Sequence, residues 1–132
     1  MAAPKKTTVR RKKIVRKNVG LGVIHIHASF NNTMVSLADK AGDSIGWASA
    51  GAEGFTSSKK STPFAAAQVT KLIIDKMKAV GVTQVEVVIS GIGGGRDSAL
   101  RMLGASGADI LSITDKTPVP HNGCRPRKSR RV

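Results

Sequence analysis

From Val23 to Phe30 the chain reads Val-Ile-His-Ile-His-Ala-Ser-Phe. Side chains alternate with the period of a strand, which puts Ile24, Ile26, Ala28 and Phe30 on one face and His25 and His27 together on the other. Asn31-Asn32 then reads as a turn, because Asn tolerates positive φ. Thr33 to Asp39 makes a second strand, Ala41-Gly42-Asp43 a second turn signal, and Ser44 to Ala50 a third strand. Together these predict an antiparallel three-stranded meander.

The period changes after a polar loop from Gly51 to Ser61. Thr62-Pro63 supplies an N-cap followed by Pro at the first helical position, and the helix it starts runs to about Val80. Val69, Leu72, Ile73, Met77 and Val80 line one side of that helix, and Gln68, Lys71, Asp75 and Lys78 the other. Gly81 stops it. Val82 to Ser90, with Val85, Val87, Val88 and Ile89, predicts a largely buried strand of the kind found in parallel sheets. The glycine-rich Gly91 to Gly95 leads to a short helix from about Asp97, read as its cap, to Ala105, with Gly104 and Gly107 marking its end. Ile110 to Thr114 is the last strand. The order βββαβαβ predicts one α/β domain, a mixed five-stranded sheet with two helices packed on it.

Charge divides the chain more sharply than hydropathy does. The 132 residues carry a formal net charge of +14. Lys5, Lys6, Arg10, Arg11, Lys12, Lys13, Arg16 and Lys17 stand in residues 1–17 with no acid among them. Lys116, Arg125, Arg127, Lys128, Arg130 and Arg131 stand in residues 116–132, again with no acid. The body between, residues 18–115, holds equal numbers of acids and bases, so all the excess sits in two arms flanking a neutral domain. Such arms repel themselves and have little to bury, so they are expected to be disordered alone and to order against a polyanion. Nucleic acid is the polyanion that fits, because counterion release favours dense cationic segments. A membrane surface is the weaker alternative, since neither arm has a convincing apolar face. No targeting segment is read at the basic N-terminus, and Asn18 to Ala38 alternates rather than forming a membrane span. The single Cys124 excludes an internal disulfide and fits a reducing compartment.

Aromatic residues make up 3% of the chain and Tyr is absent, so stacking on bases is not expected to be a main mode of binding. Phosphates of folded RNA are the better target for long flexible arms. Within the body, Lys59, Lys60 and Arg96 add cations, and Gly93, Gly94 and Gly95 offer backbone N–H groups to a phosphate at a helix N-terminus. That loop lacks the Gly-Lys-Ser/Thr ending of a P-loop, and Arg96 occupies the place of the last glycine of a dinucleotide fingerprint. The bland reading of the same loop is a tight turn. Asn31 and Asn32 are turn residues or contacts to base and sugar. Trp47 is read as core or sheet packing, with stacking on RNA as the alternative.

Catalytic readings fail on the same residues. His25, His27 and His121 lack further ligands for a metal. Cys124 and His121 lie in a Pro-, Gly- and Arg-rich tail without a scaffold for a nucleophilic pair. A metal-dependent nuclease of this topology needs carboxylates converging on the sheet, and the first strand has none. No enzyme, cofactor, metal or small-molecule substrate is expected. The remaining rivals are such a nuclease and a free RNA chaperone.

Three segments carry a family resemblance: His25-Ile26-His27-Ala28-Ser29-Phe30-Asn31-Asn32-Thr33, Ser61-Thr62-Pro63-Phe64-Ala65-Ala66, and Thr117-Pro118-Val119-Pro120-His121-Asn122-Gly123-Cys124-Arg125-Pro126. Gly46-Trp47-Ala48-Ser49-Ala50-Gly51 and Gly54-Phe55 fit as well. From about Val15 to Val132 the chain resembles the universal family of small-subunit ribosomal protein eleven. The resemblance implies a ribonuclease H-like topology used as a scaffold. It implies a cytoplasmic place in the ribosome, on the platform of the small subunit near the messenger exit and the pairing of messenger with the 3′ end of the rRNA. Implied partners are small-subunit rRNA and proteins including seven and eighteen, with His121 and Asn122 in the tail joining the RNA contacts. Two segments depart from the family pattern. Ile92 and Gly94 stand where the family commonly has prolines, and Ser57-Ser58-Lys59-Lys60 stands where it often has Gly-Ser-Arg-Lys.

Overall fold

The alternation read in the sequence becomes a sheet with one dry face. The computed structural model describes residues 19–131. Its strands are β1 (Leu21–Ala28), β2 (Thr33–Asp39), β3 (Ser44–Ser49), β4 (Gln84–Ser90) and β5 (Asp109–Asp115), and its α-helices are α1 (Pro63–Val80) and α2 (Gly95–Ala105). The strand order is β3-β2-β1-β4-β5. β1, β2 and β3 pair antiparallel, and β4 and β5 run parallel to β1. This order and direction is that of the ribonuclease H fold.

Ile24, Ile26 and Ala28 of β1 stand beside Leu37, Val35 and Thr33 of β2 and point to one face. Val85, Val87 and Ile89 of β4 continue that face. Ala65, Ala66, Val69, Ile73 and Met77 of α1 and Ala99 and Leu103 of α2 close over it. α1 lies on β2 and β3, α2 on β1, and the helices pack on each other. Each buried Ile, Leu or Val side chain contributes roughly 1.5–3 kcal/mol by leaving water. On the sheet's other face His25 and His27 are exposed, with His27 Nδ1 3.0 Å from Ser90 Oγ.

α1 follows its sequence signals. The Thr62 hydroxyl accepts from Ala65 N, Pro63 takes the first position, and Gly81 ends the helix at φ 83°. The Asp39–Asp43 turn is equally local: Gly42 sits at φ 100°, and Asp39 Oδ1 accepts from Ala41 N.

Several expectations are corrected. β1 ends at Ala28, two residues early, so Phe30 does not continue the face of Ile24, Ile26 and Ala28 and is 70% exposed. Ser29 makes the difference: its Oγ accepts from Asn31 N and Asn32 N while its own N–H donates to Asn32 O, closing a turn. Neither Asn adopts positive φ; among the described non-glycine residues only Ser57 and Asn122 do. Trp47 is 56% exposed, because it stands opposite Ser36 on the face that the helices leave open. β4 is largely buried as read, fully on the face of Val85, Val87 and Ile89, while Glu86, Val88 and Ser90 on the other face are half-buried. α2 begins at Gly95, which places Asp97 inside its first turn, near the positive helix end, rather than at the cap. Finally, the polar loop holds a short 3-10 helix, Ser57–Ser61.

Candidate nucleic-acid interface

Parallel β1, β4 and β5 all end at the same pole of the sheet, and three connecting segments gather there. The Ser29–Asn32 turn follows β1, the Gly91–Gly94 loop follows β4, and the Ser57–Ser61 turn precedes α1. Gly93 N donates to Ala28 O at 2.9 Å, fastening the glycine loop to the end of β1. Ser98 Oγ donates to Pro63 O, fastening α2 to the start of α1. The fold thus brings Asn31, Asn32, Lys59, Lys60, Gly93, Gly94, Gly95 and Arg96 to one end of the molecule. Ligand sites of open α/β sheets favour this end, outside the carboxyl ends of the strands.

The glycines divide by what surrounds them. A Cβ on Gly93 would collide with Ser29 O, and one on Gly95 would collide with Thr33 Oγ1 and lie 2.9 Å from Ala66 Cβ. Gly91 sits at φ 92° against the backbone of Ala28. These three are glycines because the protein itself fills the space. Thr33 Oγ1, buried beneath Gly95, has no hydrogen-bond partner among the described residues. Gly94 differs: it is exposed and helical in backbone, and a Cβ placed on it would meet only Ser61 O, at 3.9 Å. Gly94→Val should therefore leave the melting temperature within a few degrees yet weaken RNA binding, if backbone approaches RNA there. A large fall in melting temperature would return the loop to the bland reading.

Arg96 is spoken for. Its Nη1 donates to Gly91 O at 2.8 Å and its Nη2 to Asp115 Oδ2 at 2.6 Å. Asp115 Oδ1 also accepts from the hydroxyl of Thr117 at 2.6 Å and from Thr117 N at 2.9 Å. These bonds, the Thr117 hydroxyl foremost and Arg96 next, hold the Asp115 carboxyl well below the usual carboxylate range. A lowered carboxylate pKa means the latch is fully made at neutral pH and opens only as acid protonates Asp115 through that lowered value. Lys116 N donates to Ile89 O at 2.8 Å, extending the ladder by one bond. The latch therefore fixes where the C-terminal arm leaves the sheet.

Beyond Thr117 the arm carries no helix or strand through Arg131, and His121, Asn122, Arg125, Arg127, Lys128, Arg130 and Arg131 are all exposed. Asn122 takes φ 56°. Lys5, Lys6, Arg10, Arg11, Lys12, Lys13, Arg16 and Lys17 lie outside the described residues. Lys59 and Lys60 carry no salt bridge; Arg96–Asp115 is the one ion pair among the described residues. Among those residues no group of three or more His, Cys, Asp or Glu converges as a metal site would require. Sequence reasoning missed Phe30, Phe64, Ile92 and Val119, large apolar side chains 65–77% exposed in the segments of this pole. The local clue was Ser29, a turn former that interrupts the alternation.

The structure is a ribonuclease H-like α/β scaffold with a loop-rich pole and a cationic C-terminal tail. A family model described as Ribosomal protein S11 matches residues 22–131, and the chain belongs to that family. It is a small-subunit ribosomal protein with a structural, non-enzymatic role, associated with rRNA and other ribosomal proteins. No helix among the described residues is long and apolar enough to cross a membrane.

Proposed function

We propose that the chain binds 16S-type rRNA in the platform of the small subunit, through this pole and both cationic arms. The neutral body sets position; the arms supply most of the affinity. The observation that carries this is the convergence of Asn31, Lys59, Lys60 and Gly94 on the pole from which the C-terminal arm leaves. On this reading the protein sits near the messenger exit and the messenger–rRNA pairing, beside proteins seven and eighteen, in cytoplasmic ribosomes. It supports assembly and translation without cutting RNA.

Sedimentation of cell lysate tests the reading. The protein should travel wholly with the small subunit. A substantial free pool carrying RNA-remodelling activity would replace the ribosomal role with that of a chaperone.

A further inference from the structure

Between the Ser29–Asn32 turn and the Ser57–Ser61 turn lies a cleft of about 440 Å³, lined by Phe30, Asn31, Ser57, Ser58, Lys60 and Ser61. We infer that this cleft is a nucleobase subsite: Phe30 stacks on one unpaired base of the RNA, Asn31 bonds to its edge, and Lys60 takes an adjacent phosphate. The inference rests on the rRNA-binding reading above and assigns it a point of base contact.

Three observations support it. Phe30 is 70% exposed on a turn braced from both sides, by Ser29 Oγ within it and by Gly93 N on Ala28 O below it. A ring carried on a braced backbone loses less freedom on binding than one on a loose loop. Phe64, also exposed, already meets Phe55 edge-on at 6.0 Å, whereas Phe30 has no such aromatic neighbour among the described residues. The two asparagines also differ. Asn32 Oδ1 accepts from Thr33 N at 2.9 Å and serves the fold, while the Asn31 carboxamide is exposed and makes no hydrogen bond among the described residues. Its paired donor and acceptor suit a base edge. Lastly, the lining contains a cation and no carboxylate, which favours an anionic polymer over an acidic peptide. Sequence-specific RNA recognition works in this way, on unstacked bases laid against aromatic rings. With aromatics at 3% of the chain, stacking is confined to such single points.

The test uses the full-length protein and a small-subunit rRNA transcript, comparing wild type, Phe30→Leu and Phe30→Trp. Phe30→Leu should bind roughly tenfold to hundredfold more weakly, the loss expected for one stacked base. Phe30→Trp should bind like wild type. Because no charge changes, the dependence of affinity on salt should keep its slope, and the exposed position should keep the melting temperature. Dimethyl sulfate and carbodiimide probing should reveal an unpaired base protected by wild type and Phe30→Trp and released by Phe30→Leu. Equal binding by Phe30→Leu, or weakening with no base released, overturns the subsite while leaving phosphate binding intact. Weakening that appears only when other small-subunit proteins are present assigns Phe30 to a protein contact and also overturns it. A wild-type protein with no affinity for the transcript overturns both readings.

Discussion

Gly93→Ala should cost the domain much of its stability, although it adds a single methyl group. That methyl would collide with Ser29 O and lie 2.7 Å from Ser29 C and 2.9 Å from Ala28 C. All three are backbone atoms, so no side-chain rotation relieves the overlap. Nor can the loop back away freely, because Gly93 N is bonded to Ala28 O at 2.9 Å. Overpacking typically costs about 1–3 kcal/mol, and losing the hydrogen bond adds about 1 kcal/mol. Against a total stability of about 5–15 kcal/mol this is a large share. Thermal unfolding should show a fall of roughly 10–20 °C. Were the melting temperature unchanged and only RNA binding lost, Gly93 would be a ligand-contact glycine and the packing argument would be wrong.

Removal of residues 1–17 should reduce the salt dependence of rRNA binding by several units of log–log slope. The segment carries eight cations and no acid, whereas residues 18–115 balance to zero. Each phosphate left without its cation should subtract roughly 0.7–0.9 from the slope. If most of the eight engage, affinity near physiological salt should fall by orders of magnitude, because the body has little net charge to replace them. A version with all eight changed to Gln keeps the length of the chain's start and isolates the charge. Filter binding between about 50 and 200 mM salt reads the slope directly. An unchanged slope in both variants would mean that the segment does not engage phosphate and that the C-terminal arm carries the electrostatics alone.

The elements whose boundaries were legible are those fixed by neighbouring residues. α1 starts at Thr62-Pro63 and stops at Gly81 as read, since a cap, a fixed φ and a left-handed residue act within one turn. β2 runs from Thr33 to Asp39 as read, between two tight turns. Misreadings arose where competition was decided by partners distant in sequence or by a small side chain. The alternation runs on to Phe30, but Ser29 closes the chain into a turn first. β4 has apolar residues on both faces, and the sequence does not reveal that one face is fully buried and the other only half. The site was legible as a set of segments but not as a division of labour. Arg96 reads as a free cation until Asp115, nineteen residues on, is seen to face it. Three glycines of the loop read alike with Gly94 until the backbone of β1 and the side chains of Thr33 and Ala66 are placed beside them.

The chain enters the sheet at the start of β1 and leaves it at the end of β5, and those two points lie at opposite ends of the sheet. Residue 19 leads into the start of β1, and the C-terminal arm leaves β5, which runs parallel to β1 through β4, from the far end. Eight residues of strand separate those ends by about 23 Å. On the proposed rRNA-binding reading, the sheet is a rigid spacer between two binding arms. Once one arm has seated, the other is held near RNA at a high effective concentration, so its attachment becomes an intramolecular step. Two RNA segments at that separation would be captured together, and release would require both arms to let go at once. Shortening either arm should then raise the dissociation rate far more than it lowers the rate of association.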